Sequence, residues 1–573
     1  MEFKRAFTRA KRGGAMKTSR LAAACALGAM LASGCARRAP EGQPMEEAVI
    51  YAAARVRTMD PARPLASAVA VRGGRILAVG DLAEVRREAG EGVQVVDLGG
   101  ATIVPGLVDA HVHTLSLGRA LSTVDLSGAR SAEEAAARVK AAPASSFEGD
   151  WLVGRGWDQN AWGGSFPDRR LLDAARPGTP VCLSRVDGHA VWVSSEALRR
   201  AGIDARTPDP HGGRILRDEK GEPTGVLVDN AADLVLAKVP EPTDEQRQEW
   251  LARALARCAE VGLTGIHDAG MDLQTFTLLQ QWDAIGGLSL RLYAMADAQG
   301  KDAEAFLERG TFQGRNLTMR SAKLLLDGAL GSRGAALESP YSDEPGQSGL
   351  LLMEPAELER RARAFMERGF QVNVHAIGDR ANRIAIEVLA RAAKATGTGS
   401  LRHRIEHAQV LGLEDLPKMK AAGLVASMQP THATSDMPWA EARLGKERLR
   451  GAYAWRRVLD AGVPLAFGSD FPVEKPDPLY GLYAARTRQD AEGKPEGGWL
   501  PDQRLSGDEA LRAFTAGAAY ASLAEERRGM LKPGMDADLV ALSADPVDGA
   551  PREVRAAKVL LTLVGGRPAF RAR

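Results

Sequence analysis

The chain has 573 residues, of which 45% are hydrophobic and 26% are charged, a composition typical of a folded globular protein. Its 75 basic and 73 acidic residues nearly cancel, which excludes the basic surface of a nucleic-acid-binding protein, and the apolar fraction excludes a disordered chain. Four cysteines are too few for a disulfide scaffold or a cysteine-rich zinc module, so nitrogen and oxygen must hold any metal ion.

Residues 1–34 have the composition of an export signal. Seven basic residues precede an uncharged apolar run, 21–34. This run is too short to span a bilayer comfortably but has the length of a signal-peptide core. The run ends in Leu31-Ala32-Ser33-Gly34-Cys35, which resembles the lipobox of bacterial lipoproteins and makes Cys35 the predicted lipidation site. An internal Met16 would give a signal of more usual length.

This signal predicts an exported lipoprotein, anchored in a bacterial membrane and facing the periplasm or the cell exterior. The alternative is a plain secretory signal with an incidental cysteine. Without residues 1–34 the chain would carry 68 basic and 72 acidic groups, so the mild basicity belongs to the signal.

Short β-strands are predicted at both ends of the remaining chain. After a polar linker, 35–47, strand-like runs separated by paired glycines fill residues 48–100, and a similar pattern fills residues 525–573. Neither stretch can bury a core alone. We therefore expect them to pair into one composite β-sandwich.

Residues 101–524 alternate short β-branched runs with helical segments rich in Ala, Leu and Arg, the pattern of a parallel sheet with crossover helices. The first two candidate strands are separated by about 150 residues, several times a normal βα unit, which predicts an insertion at about 119–250. The eight candidate strands are Thr102 to Asp109, Thr264 to Asp268, Ser289 to Ala294, Ala322 to Asp327, Gln371 to His375, His403 to His407, Leu424 to Met428 and Pro464 to Asp470.

Potential metal ligands stand at the carboxyl ends of several of these strands. His111 and His113 are two residues apart at a strand end, so the alternation of a strand places both imidazoles on one face. His375, His407 and Asp470 end three further strands. Each residue alone has an ordinary structural explanation. Four strand ends that offer nitrogen and oxygen ligands toward one face predict a metal site, at the end of a barrel where active sites are built.

Nine stretches between about residues 48 and 570 carry a resemblance to a known family: PGLVDAHVH, GRGWDQNAWGG, VDGHAVWVSSEAL, GEPTGVLVDNA, KLLLDGALGSRGAAL, VHAIGDRAN, RIEHAQ, AFGSDFPVE and GMLKPGMDADLV. Together they resemble the amidohydrolase superfamily, and more closely its family 3 branch, which includes N-substituted formamide deformylase-like enzymes. The resemblance implies an α/β fold, a distorted (β/α)8 TIM barrel joined to the composite β-sandwich.

The resemblance also implies a set of metal ligands for one or two divalent ions, with zinc favoured by the imidazole donors. His111 and His113 would bind the more buried ion, with Asp470 near it, and His375 and His407 would hold the second. Lys323 would be a carboxylated lysine that bridges the ions, because a bare ammonium repels a cation whereas its carbamate is an anion. The alternative for Lys323 is an ordinary lysine paired with Asp327.

The implied chemistry is hydrolysis of a non-peptide carbon–nitrogen bond in a small-molecule substrate, an N-acyl or N-formyl amide. A divalent ion lowers the pKa of a bound water toward about 7. Asp470 would take a proton from this water and pass it to the departing nitrogen, and a histidine, His407, would help to stabilise the oxyanion.

Two alternatives to this function are open. A deaminase or cyclic-amide hydrolase would use the same ligands, and an exported binding or regulatory protein would keep the barrel without turnover. The oligomeric state is also open.

Further candidates have two explanations each. His189 could bind the substrate carbonyl or make a structural hydrogen bond, and Arg333 could meet a substrate carboxylate or be a solvated loop residue. Trp157 and Trp162 could form an apolar substrate wall or pack in a core. His432 and Trp439 are predicted in a loop after the seventh strand, where they could cap the barrel mouth. The remaining histidines, assigned structural roles, are His211, His267 and His403.

Overall fold

The computed structural model describes residues 47–143, 146–186, 188, 190–210, 213–331 and 333–573. The predicted signal at 1–34, with Cys35, and the linker up to residue 46 lie outside the described residues. So do His189 and His211.

The described residues form three sheets and the helices that cover them. The N-terminal part contains β1 (Val49–Arg57), β2 (Leu65–Arg72), β3 (Arg75–Gly80), α1 (Leu82–Ala89), β4 (Gln94–Asp97) and β5 (Thr102–Pro105). The next part contains β6 (Leu107–Val112), α2 (Thr114–Ser122), β7 (Val124–Asp125), α3 (Ala132–Lys140), β8 (Phe147–Glu148), β9 (Trp151–Trp157), α4 (Arg169–Ala175), β10 (Val181–Arg185), β11 (Ala190–Val193), α5 (Ser195–Ala201), β12 (Gly213–Arg217), β13 (Pro223–Asp229) and α6 (Asn230–Leu236).

The long central part contains α7 (Asp244–Glu260), β14 (Leu263–Met271), α8 (Leu273–Ala284), β15 (Arg291–Asp297), α9 (Ala303–Arg309), β16 (Phe312–Gln313), β17 (Leu317–Leu325), α10 (Pro355–Glu367), β18 (Gln371–Ala376), α11 (Asp379–Thr396), β19 (Arg404–His407), α12 (Leu416–Ala421), β20 (Val425–Met428), α13 (Pro430–Arg448), α14 (Trp455–Asp460), β21 (Leu465–Phe467), α15 (Pro478–Thr487), α16 (Gly507–Ala513) and α17 (Ala516–Ala521). The C-terminal part contains β22 (Leu539–Leu542), α18 (Pro551–Arg555), β23 (Val559–Val564) and β24 (Arg567–Arg571). Short 3-10 helices lie at Gln159–Trp162, Gly399–Leu401, Leu413–Asp415, Leu449–Gly451 and Pro501–Gln503.

Strands from both ends of the chain form one sheet in the order β24-β23-β22-β5-β1-β2-β3, with β4 beside β1. Strand β1 has an irregularity between Ala52 and Val56, and its first half pairs with β4 whereas its second half pairs with β5. The folded sheet encloses apolar side chains of both ends, among them Val69 and Leu561. The two ends therefore share a core that neither could form alone, as the sequence predicted.

Eight parallel strands form the barrel sheet, in the order β21-β20-β19-β18-β17-β15-β14-β6. The seam between β21 and β6 is held by the buried Asp109 carboxylate, which accepts hydrogen bonds from Ser469 N at 2.9 Å and Ser469 Oγ at 2.6 Å. A Cβ on Gly468 would lie 2.6 Å from both Asp109 Oδ1 and His111 N, so only glycine allows the strands to approach this closely. The predicted TIM-like barrel is confirmed.

The first barrel strand differs from the prediction. The run from Thr102 to Asp109 is two strands, because β5 pairs with β22 in the terminal sheet and β6 begins the barrel after Gly106. The two apolar segments are continuous in sequence, so hydrophobicity alone did not separate them. This short passage carries the chain directly from one sheet to the other.

The insertion forms a third sheet, in the order β12-β13-β11-β10-β9-β7, with β8 beside β9. The chain returns to the barrel through α7, whose first turn is fixed by a reciprocal pair of hydrogen bonds between Thr243 and Gln246. In the described ranges, we find no helix whose length and apolar content would allow it to cross a membrane.

Candidate metal centre

The carboxyl ends of the barrel strands bring the predicted ligands together. His111 lies in β6, Lys323 in β17, His375 in β18 and His407 at the last position of β19. Asp470 follows β21, and both His407 (φ 74°) and Asp470 (φ 61°) have left-handed backbone conformations that non-glycine residues rarely adopt. Such strain is common at functional sites.

His111, His113 and Asp470 form one group of potential ligand atoms, all within 4.8 Å of one another. Asp470 Oδ1 lies 3.2 Å from His113 Nε2 and 3.6 Å from His111 Nε2. His111 is fully buried, whereas the His113 side chain is 37% exposed. The group is therefore buried on the side of His111, inside the barrel, and accessible to solvent on the side of His113, at the barrel mouth.

A second group surrounds the His407 ring. Its centroid lies 4.5 Å from that of His375, 4.8 Å from that of His111 and 5.9 Å from that of His432. His407 Nδ1 lies 2.8 Å from Gln429 Oε1 and donates a hydrogen bond to it, which leaves the Nε2 lone pair free. His432 Nε2 is 3.7 Å from Asp470 Oδ2. Asp470 thus stands between the two groups.

Three imidazoles of this site, those of His111, His375 and His407, are held in the neutral form that binds metal ions. Burial, together with the charge of Lys323, lowers the pKa of His111 to about 4 and that of His375 to about 3. Burial and the neighbouring rings hold the pKa of His407 well below its usual range. Asp470 is ionised because its contacts with His113 and His111 outweigh the effect of burial and hold its pKa well below the usual range.

Lys323 lies inside this arrangement, 3% exposed, with Nζ 3.2 Å from His111 Nε2. The alternative pairing with Asp327 is wrong. The Asp327 carboxylate instead accepts hydrogen bonds from the backbone N–H groups of Ala336, Ile377 and Gly378. Burial lowers the pKa of the Lys323 amine.

Two buried charged residues that we did not single out from the sequence fix the orientation of His111. Glu406 Oε2 accepts a hydrogen bond from His111 Nδ1 at 2.5 Å, and Glu406 Oε1 forms an ion pair with Arg404 Nε at 2.8 Å. Arg404 also donates to the Ala110 carbonyl and to Ser427 Oγ. Because Glu406 accepts a hydrogen bond from Nδ1–H, His111 presents its Nε2 lone pair to the site.

Several buried polar atoms of the site have no hydrogen-bond partner among the described residues, and a bound cation could be their partner. Asp470 Oδ1, His375 Nε2 and His432 Nε2 are buried and accept or donate no hydrogen bond with described residues. Unpartnered buried polar atoms are costly, and these are nitrogen and oxygen donors of the types that divalent metals bind. The residues present therefore fit a metal centre.

His432 and Trp439 do not lie in a loop as predicted. Both belong to α13, which begins directly after β20, and this helix start brings His432 to the barrel mouth beside His407. The sequence indicated a place near the barrel mouth for His432, because this residue comes four positions after a predicted strand end. Its contact with Asp470 depends on the direction of the helix, which the sequence did not reveal.

Trp157 is a core residue of the inserted sheet and not a wall of a substrate pocket. It is fully buried, its indole Nε1 donates to the Leu183 carbonyl at 2.8 Å, and its ring stacks on Trp162 at 6.4 Å. The packing explanation is thus the correct one of the two. The glycines around it made the segment resemble a binding loop.

Arg333 follows β17 as expected but is not free to meet a substrate carboxylate. Its Nε and Nη2 lie 3.2 Å and 3.0 Å from the two carboxylate oxygens of Asp343, and Glu344 lies 3.2 Å away. Arg443 joins the same carboxylate. This pairing satisfies the guanidinium within the protein.

The geometry agrees with the outcome of comparisons with known proteins. A model described as "Amidohydrolase family" matches residues 94–570, which is most of the chain. The chain belongs to the amidohydrolase family. The predicted relationship is confirmed, and it makes the chain a metal-dependent hydrolase.

This amidohydrolase is similar to two curated proteins over nearly all of their length. It is 35% identical to the Arabidopsis thaliana protein LONG AFTER FAR-RED 3, across 90% of each chain. It is 30% identical to the N-substituted formamide deformylase of Arthrobacter pascens, across 90% of this chain and 96% of that enzyme.

Among solved structures, the amidohydrolase is similar to one described as an uncharacterized metal-dependent hydrolase from Pyrococcus horikoshii OT3. The two chains are 30% identical and superpose with a TM-score of 0.75, which covers 88% of this chain and 99% of the other. The shared fold therefore extends over most of the chain.

Proposed function

We propose that this amidohydrolase cleaves a non-peptide carbon–nitrogen bond of a small-molecule amide, with N-acyl or N-formyl amides as its substrates. The observation that carries the proposal is the ionised Asp470 carboxylate between the two histidine groups, with Oδ1 3.2 Å from His113 Nε2 and without a hydrogen-bond partner. The likeness to a formamide deformylase supports the choice of bond.

A divalent ion bound by these residues would lower the pKa of water and polarise the substrate carbonyl. Asp470 would accept the proton of the attacking water and deliver it to the departing nitrogen, because an amide nitrogen leaves only when protonated. His407, whose Nδ1–H is fixed on Gln429, directs its Nε2 lone pair into the site, where it would bind the ion. In this tautomer the neutral ring has no proton to donate to an oxyanion, so the expected help of His407 in oxyanion stabilisation is wrong. His113 is exposed toward the mouth, where substrate must arrive.

We propose zinc as the metal and a carboxylated Lys323 as a bridge between two ions. Imidazole and carboxylate donors support zinc. An uncharged or cationic amine cannot bridge two cations, whereas its carbamate provides two oxygens. The mass of the intact protein, measured without acid, should include one carboxylate group that is absent from Lys323→Ala. An unmodified mass together with one metal ion per chain would contradict this bridge.

Asp470→Asn tests the catalytic assignment. We expect wild-type protein to contain one or two zinc ions per chain and to hydrolyse members of a panel of N-formyl and N-acyl amines to acid and amine. The variant should lose about 100-fold to 10,000-fold in kcat, the range for removal of a general acid–base. Asp502→Asn, at an exposed position, is the matched control.

Two results would overturn the proposal. If wild-type protein holds no stoichiometric metal and cleaves no amide of the panel, the non-catalytic alternative gains support. If ammonia is the only nitrogen product across active substrates, the protein is a deaminase.

We further propose that the protein is an exported lipoprotein, on the basis of the basic segment, the apolar run and Cys35. Cys35→Ser should move the protein from the membrane fraction to the soluble fraction of a bacterial host and abolish incorporation of labelled fatty acid. Unchanged membrane association of this variant would contradict a lipid anchor.

A further inference from the structure

A second polar cavity lies at the opposite end of the barrel from the metal centre. Its walls are the N-terminal ends of β6, β14, β15 and β17 and the segment 519–529 after the last barrel helices. Its volume is about 110 Å³. A single water needs roughly 10–15 Å³ by the same measure, so this cavity can hold several waters or one small ion.

The inner wall of the cavity contains His267, which is 3% exposed. Arg404 Nη1 lies 3.1 Å from His267 Nδ1, and because a guanidinium can only donate, Nδ1 is the acceptor. Burial and the charge of Arg404 hold the pKa of His267 well below its usual range, so the ring is neutral and its proton lies on Nε2.

Among the described residues, none accepts a hydrogen bond from the Nε2–H of His267. Yet this nitrogen is not one of the unpartnered polar atoms that are fully buried. A buried side chain therefore offers a fixed hydrogen-bond donor to the cavity that it lines. Its tautomer is set by Arg404 and cannot change to an acceptor without loss of that contact.

The outer wall adds positive charge. Arg528 donates from Nε to Asp536 Oδ2 at 3.0 Å, and both of its Nη atoms are without a partner in the described structure. Arg320 is exposed and forms no hydrogen bond or ion pair with described residues. The charged residues of the lining are Arg291, Arg320, Arg527, Arg528, Asp536 and Asp538.

These six groups sum to a net charge of +2. Arg291 and Arg527 already pair with Asp538 and Asp536. Within the described structure, Arg528, Arg320 and His267 each keep donors that have no acceptor. The cavity thus combines excess positive charge with hydrogen-bond donors that lack acceptors, in a space too small for an extended molecule.

We propose that this cavity is a binding site for one small oxyanion, a monocarboxylate or an inorganic phosphate, held by His267 Nε2–H, Arg528 and Arg320. Carboxylate and phosphate share the oxygens that guanidinium and imidazole N–H groups recognise. The site is separate from the metal centre, since the two open at opposite ends of the strands.

Titration calorimetry of the zinc-loaded protein with acetate and with phosphate tests this site. We expect saturable binding of one anion per chain, and the tighter of the two anions identifies the class. Arg528→Gln and Arg320→Gln should each weaken it about tenfold or more, the effect of one charged hydrogen bond. Arg130→Gln, whose side chain is 89% exposed on the insertion, is the matched control and should bind normally.

The location of the anion is checked with selenate, an oxyanion that is visible by anomalous scattering, soaked into crystals of the zinc-loaded protein. A selenium peak in the cavity, placed so that the selenate oxygens accept hydrogen bonds from His267 Nε2 and Arg528, supports the site. Peaks at the metal centre only, or equal affinity of both variants and wild type, overturn it. If Arg528→Gln does not fold because Asp536 loses a partner, Arg320→Gln decides the question, since the Arg320 side chain forms no hydrogen bond or ion pair with described residues.

Discussion

The tautomer of a single histidine decides whether it can bind a metal ion. His111 is surrounded by protein and has two ring nitrogens, of which only one can face the centre. The Glu406 carboxylate fixes this choice by accepting a hydrogen bond from Nδ1–H, and Arg404 keeps Glu406 ionised. Although burial acts to raise it, the pKa of Glu406 is lowered by Arg404 and His111. Glu406 is therefore a positioning residue.

Glu406→Gln should weaken zinc binding about 10-fold to 100-fold, because an amide accepts the His111 proton less strongly and no longer neutralises Arg404. Competition with a chelator of known affinity measures the affinity of the protein for zinc independently of turnover. Glu441→Gln, exposed on α13, is the control. A variant that melts earlier but binds zinc with wild-type affinity would show that Glu406 has a structural role only.

Helices α2 and α7 approach each other closely at the point where the chain leaves and re-enters the barrel. A Cβ on Gly118, in α2, would lie 1.9 Å from the backbone carbonyl oxygen of Trp250 in α7. Backbone atoms cannot move aside as the end of a flexible side chain can. The absence of a side chain at this position therefore sets how the helix after His113 packs.

Gly118→Ala should destabilise the protein by about 1–3 kcal/mol, the usual effect of overpacking, despite the higher helix propensity of alanine. The midpoint of thermal unfolding, followed by circular dichroism, measures this. Gly346→Ala is the control, since a Cβ there meets nothing within 4 Å. Equal midpoints of thermal unfolding for the two variants would mean that α2 and α7 can move apart without a loss of stability.

The stability of the whole molecule depends on pH through His403, a buried histidine that is harder to protonate in the folded state than in the unfolded chain. His403 is 1% exposed, its Nδ1 accepts a hydrogen bond from Val372 N at 3.0 Å, and it lies between two neighbouring barrel strands. Burial lowers its pKa to about 4, against 6.5 in the unfolded chain. The unfolded state therefore binds the proton more readily than the folded state.

This shift predicts that the stabilisation is fully present above pH about 6.5 and is lost as the pH falls toward about 4, by up to about 3 kcal/mol. Urea unfolding at a series of pH values measures it. His403→Gln, which keeps a hydrogen-bond acceptor, should make the free energy of unfolding depend less steeply on pH in this window. Above pH about 7, the free energies of unfolding of the two proteins should change with pH in parallel. The same slope in both proteins would assign the acid sensitivity to other groups.

The composition and the local patterns of the sequence determined the elements and the type of site. Short β-branched runs located the barrel strands, and ligands at their ends predicted a metal centre, because parallel strands of one sheet end at the same edge. Strand signals at both ends of the chain predicted a shared sheet because neither end could bury a core. These are properties of periodicity and burial, which a sequence contains locally.

Only the tertiary structure decided which side chains meet. Glu406 stands beside His407 in a motif that resembled the family, yet its role depends on contact with His111, 295 positions away. Trp157 donates a hydrogen bond inside the core of the inserted sheet, and Arg333 donates to Asp343. Helix α13 places His432 close to Asp470. A hydrogen bond or an ion pair requires agreement in distance and direction between segments far apart in the chain, and that agreement exists only once the strands are closed into a barrel.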